Sequence, residues 1–71
     1  MIGLLVSDRE VKELGYLLKR EMEEILLDLE DQRIDDVVKQ GMEKRYQVLF
    51  QLFKRVAHPA ECSQYIRENR S

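Results

Sequence analysis

Apolar residues in the first half of the chain recur at steps of three and four. Val11, Leu14, Leu18, Met22, Ile25, Leu26 and Leu29 fall on one side of a helix at roughly 100° per residue, within an arc of about 120°. Tyr16, Leu17 and Leu27 fall outside that stripe, with Leu17 on its flank. A second series follows a polar interruption, Glu30 to Asp36. Ile34, Val38, Met42, Leu49, Leu52, Phe53 and Val56 share one face. Val48 on one flank and Tyr46 and Phe50 on the other widen this arc to about 200°, nearly double an ordinary core-facing stripe. The run Tyr46–Val56 is the most apolar of the chain and holds both phenylalanines. It carries more apolar surface than one neighbouring helix covers.

The borders of these series have their own chemistry. Ser7-Asp8-Arg9-Glu10 is a capping box, and Val6 and Val11 are spaced as a hydrophobic staple. Asp31 or Asp35 can cap the second helix. Lys54 and Arg55 suit the negative end of its dipole. His58-Pro59 ends it, because proline disfavours helical backbone in the residue before it, and Pro59 is well placed to open a third helix. The chain is therefore expected to be all-α and a single helical domain over 1–71. An apolar arm spans 1–6, the first helix 7–30, the second 35–57 and a short third 59–67, with 68–71 frayed. The short link makes the two long helices an antiparallel αα-hairpin; one continuous helix is the alternative, since no Gly or Pro marks the turn. The arm is expected to fold onto apolar surface, of its own chain or of a partner. Gly15 and Gly41 lie inside the helices, and Gly15 is expected to leave room for an aromatic ring near Leu49-Phe50.

Length changes this picture. A chain of 71 residues buries only about 60% of its unfolded surface, so something must supplement its stability. One cysteine, Cys62, excludes an internal disulfide, and one histidine with one cysteine falls short of a zinc site. Association is the remaining route. Two hairpins pairing through the second helix would form a four-helix bundle, a homodimer. Tyr46, Val48, Phe50, Leu52, Phe53 and Val56 are the candidate interface residues. Cys62 itself is expected to be a small, half-buried helix residue.

The net charge is −2 but unevenly spread. Residues 1–36 hold five basic and eleven acidic residues, a net of −6. Residues 37–71 hold seven and three, a net of +4. Two halves of opposite sign suit neighbouring helices, and Glu21–Arg45 is the candidate ion pair across the hairpin. Alternatively Arg45 faces a ligand. The basic second half keeps a nucleic-acid accessory role as the competing function, against which stand the acidic total and the helix lengths. Chemistry finds little support. Glu21-Met22-Glu23-Glu24 is the densest carboxylate cluster, but no Glu precedes His58 by three as di-metal bundles require. His58 lacks a partner nucleophile or orienting acid. No cofactor is implied and no enzyme is expected. No run reaches the roughly 18 apolar residues of a membrane span, and the first six residues lack the charged start of a signal peptide. A cytoplasmic protein that does not engage membranes is expected.

The stretches Arg33-Ile34-Asp35-Asp36-Val37-Val38 and Tyr46–Ala57 give the chain a style that resembles the small uncharacterised cytosolic helical proteins of Gram-positive, spore-forming bacteria. The resemblance implies a helical fold and no activity. Short-hairpin aspartyl-phosphate phosphatases of such bacteria carry Ser-Gln-Glu-Leu-Asp. Here Ser63-Gln64 is followed by Tyr65-Ile66-Arg67, without the acid, so the chain is not assigned to them. The function expected is a protein–protein interaction or regulatory module that acts through apolar helix faces.

Overall fold

The computed structural model describes residues 1–66, and all its regular elements are helical. Helix α1 spans Asp8–Leu29, α2 spans Asp36–Val56 and α3 spans Pro59–Cys62, which runs directly into a 3-10 turn at Ser63–Tyr65. Both halves of the capping box are made. The Ser7 hydroxyl accepts from the Glu10 amide at 3.2 Å and the Glu10 carboxylate accepts from the Ser7 amide at 2.8 Å. Hydrogen bonding from Ser7, its backbone amide first and its side chain second, holds the Glu10 carboxyl below its usual range.

The hairpin turns without glycine, proline or any positive φ. Asp31 does the work of both. Its carboxylate accepts from the Arg33 amide at 2.9 Å, and from Arg33 Nε and Nη2 at 3.1 and 3.0 Å. An Asx-type turn is thus closed by a two-point charged contact. Arg33 in turn lowers the Asp31 pKa. Asp35 then caps α2, accepting from the Val37 amide at 3.3 Å. Of the two aspartates proposed as caps, Asp35 has that role and Asp31 builds the turn. The Ala57 amide closes the last turn of α2 on the Phe53 carbonyl at 2.9 Å, and Ala57 is extended ahead of His58-Pro59.

The third helix is shorter than its expected span of 59–67. Regular α-helix stops at Cys62, the 3-10 turn ends at Tyr65 and Ile66 is extended; Arg67 and the expected frayed end, 68–71, lie outside the described residues. His58 caps α3 through Nδ1, which accepts from the Ala60 amide at 3.0 Å, and the Ser63 hydroxyl donates to the Ala60 carbonyl at 2.8 Å. The tightened turn carries Tyr65 back into the hairpin.

The core consists of Leu18, Met22 and Ile25 of α1, Tyr46 and Phe53 of α2, and Cys62 and Tyr65 of the C-terminal segment. Met42, Leu49, Phe50 and Val56 pack on it while keeping some exposure. Two residues of the expected second-helix face, Val38 and Leu52, are instead exposed. The buried line of α2 is rotated toward Tyr46 and Phe53, because the C-terminal segment packs on that flank. Cys62 is buried rather than half-buried. A Cβ at Gly15 would meet nothing within 4 Å, so the expected packing reason for that glycine is absent, and Gly41 is equally open. No described helix is long and apolar enough to cross a membrane.

Candidate interaction surface

An antiparallel hairpin has two broad sides, and here they differ. One is closed by α3 and its 3-10 turn. Tyr46 donates its hydroxyl to the Tyr65 carbonyl at 2.7 Å, and Tyr65 donates its own hydroxyl to Glu23 Oε1 at 2.7 Å. The ring of Tyr65 meets Phe53 edge-on, with centroids 5.5 Å apart. Tyr46 and Phe50 lie nearly parallel at 6.5 Å, and Lys54 Nζ stands 5.6 Å from the Phe50 ring centre. Lys19 of α1 reaches Glu61 of α3 at 3.6 Å. Burial, reinforced by the Glu23 carboxylate, pushes the Tyr65 hydroxyl up to about 12.

The other side is crossed, among the described residues, by the Glu21–Arg45 ion pair. Arg45 Nη2 donates to Glu21 Oε2 at 3.1 Å, both side chains being roughly half exposed. Around it stand exposed apolar residues: Leu17 at 52%, Val48 at 68% and Leu52 at 42% of full exposure, with Val38 farther along α2. The arm runs beside this side. Leu4, Leu5 and Val6 face Glu13, Leu14 and Leu17 across an open depression of about 400 Å³. The arm does not fold down on its own chain: Ile2 is 94% and Leu5 99% exposed.

These placements divide the six interface candidates. Tyr46 and Phe53 are 0% exposed; their surface is spent inside the chain and none remains for a partner. Phe50 and Val56 are partly covered, Phe50 on the closed side. Val48 and Leu52 alone of the six present large apolar surface on the open side. The excess arc of α2 therefore has two causes. Its aromatic flank serves the C-terminal segment, and its Val48 flank is uncovered.

The carboxylate cluster disperses in the same way. Glu21 faces Arg45, Glu23 accepts from Tyr65, and Glu24 pairs with Arg20 one turn back at 4.0 Å. Among the described residues no three His, Cys, Asp or Glu side chains stand together as a metal-holding group. His58 is engaged as a helix cap. Arg45 has a carboxylate partner within the chain.

Sequence reasoning missed Tyr65 as the residue that locks the closed side, and Glu23 as its acceptor. A usable signal was present: a tyrosine on an apolar face needs a partner for its hydroxyl. The partners lie 19 and 42 residues away, beyond the reach of helical periodicity. No protein-family model, curated protein or solved structure matches the chain.

Proposed function

We propose that this chain is a non-enzymatic protein–protein interaction module, and that it self-associates through the open side of the hairpin into a four-helix bundle. The observation that carries this reading is the asymmetry of the two sides. The chain covers one with its own C-terminal segment and leaves Leu17, Val48 and Leu52 bare on the other. An apolar side of this kind on a domain too small for a large core is the usual signature of an association surface. Its extent fits. Two helices of about 21 residues side by side span about 30 Å by 20 Å, near the ~800 Å² per partner of a standard interface once side-chain relief is counted.

The nucleic-acid reading has less support. Arg45 is tied to Glu21 and Lys54 sits over Phe50, so the basic half is partly spent within the chain. Light scattering behind gel filtration at two concentrations tests the first reading. A dimer mass that falls on dilution is expected; a monomer at every concentration would remove it. Nucleic-acid binding that vanishes at moderate salt would favour the second reading.

A further inference from the structure

The two helices contribute edges of opposite sign to the open side. On the helical wheel the outer edge of α1 that shares a side with Glu21 carries Glu10, Glu13, Glu24 and Asp28; Arg9 and Arg20 border it, Arg20 beside Glu24, and leave the edge acidic on balance. The matching edge of α2, beside Arg45, carries Lys44 and Arg55 and no acid. The exposed apolar residues Leu17, Val48 and Leu52 lie between. Such a surface does not suit every partner equally. An apolar strip with an acidic rail on one side and a basic rail on the other is self-complementary under one symmetry operation.

Two copies can meet through this side about a two-fold axis that lies in the interface. If the axis crosses the helices, α1 rests on α1 and the acidic rails collide. If the axis runs parallel to the helices, α1 of each copy rests on α2 of the other and acid meets base twice. The contact between Glu21 and Arg45 fixes the levels. Residue pairs whose numbers sum to about 66 stand at one height along the hairpin. The parallel axis preserves those heights. It therefore brings Glu10 to the partner's Arg55, Leu14 and Leu17 to the partner's Leu52 and Val48, and Glu21 and Glu24 to the partner's Arg45 and Lys44. Every neighbouring helix pair is then antiparallel, which also suits the helix dipoles.

We infer that the occupant of the open side is a second copy of this chain, seated with the two-fold axis parallel to the helices, so that α1 packs on the partner's α2. The Glu21–Arg45 pair becomes half of a four-residue ring at the dimer centre. The arm extends the same strip, because Leu4 and Leu5 stand beside Leu14 and Leu17, at the height of the partner's Val48 and Leu52. This inference rests on the self-association reading and adds its geometry.

Two variants that each add one cysteine, both carrying Cys62→Ala so that the added thiol is the only one, test it. Leu17→Cys and Val48→Cys both fall at exposed positions, so neither disturbs the core, and the chain carrying Cys62→Ala alone serves as the oxidation control. Equal amounts of the two variants, mixed and mildly oxidised, are expected to give on the order of tenfold more cross-linked dimer than either alone, since a disulfide needs Cα atoms within about 7 Å. Strong cross-linking of Leu17→Cys alone, or of Val48→Cys alone, would overturn the inference while leaving self-association intact. A dimer by light scattering that cross-links in no combination would do the same. A monomer at the cross-linking concentration would overturn the self-association reading with it.

Discussion

The two sides of the hairpin are built from the same two helices and end differently. On the closed side, aromatic residues are buried and their polar atoms are satisfied: the Tyr46 hydroxyl by the Tyr65 carbonyl, the Tyr65 hydroxyl by Glu23. On the open side, smaller aliphatic residues remain exposed around one solvent-facing ion pair. The difference lies in what each side chain requires. A buried tyrosine demands a fixed partner for its hydroxyl, which makes the closed side specific to one segment of its own chain. Leucine and valine demand only dry cover, which a separate chain can supply. The closed side accordingly bears on whether the monomer folds, and in the proposed reading the open side bears on what it meets.

Substitutions on the two sides should therefore separate folding from association. The largest effect is expected at Phe53, which is fully buried between the helices and the Tyr65 ring. Phe53→Ala should cost about 3–5 kcal/mol, enough to unfold so small a domain, and urea denaturation followed by circular dichroism would register it. Tyr46→Phe leaves the ring in place and strands the Tyr65 carbonyl, at an expected cost of about 1–3 kcal/mol. A denaturation midpoint equal to wild type would show that this hydrogen bond does not hold the C-terminal segment.

The same segment gives the closed side a pH signature. The fold retains the neutral Tyr65 hydroxyl, raising its pKa to about 12 from an ordinary value near 10. The associated stability is fully present below about pH 10 and is lost as pH rises through 12, because the unfolded chain gives up its proton first. Alkaline titration of the thermal midpoint should show this loss, and Tyr65→Phe should flatten it. The smallest changes are expected where neither side is involved. Gly15→Ala and Gly41→Ala place a methyl in open space and should each stabilise the helices by up to about 1 kcal/mol, read as a higher melting temperature.

Much of this architecture was legible in local sequence. Ser7-Asp8-Arg9-Glu10 specifies the start of α1, and His58-Pro59 specifies the end of α2 and the cap of α3, since each device acts within four residues. The Glu21–Arg45 contact followed from placing a short turn between two antiparallel helices. What periodicity hid was which flank of α2 would be covered. A helical wheel displays Tyr46, Phe50, Val48 and Leu52 as one broad arc and carries no information about where a segment past Pro59 will return. Gly15 misled for a related reason. It stands near the level of Leu49 and Phe50, but a Cβ there would meet nothing within 4 Å, so no ring needs its space. The arm, expected to fold onto apolar surface of its own chain or of a partner, leaves Ile2 and Leu5 exposed within its own chain.

The central claim is that the open side is for association and the closed side for folding. Sedimentation equilibrium of the wild-type chain beside a Val48→Lys/Leu52→Lys double variant tests it most directly, with helicity measured on the same samples. The wild type is expected to be dimeric at micromolar concentration, and the variant monomeric with its helical content retained. A wild type that stays monomeric, or a variant that dimerises as well as wild type, would contradict the claim.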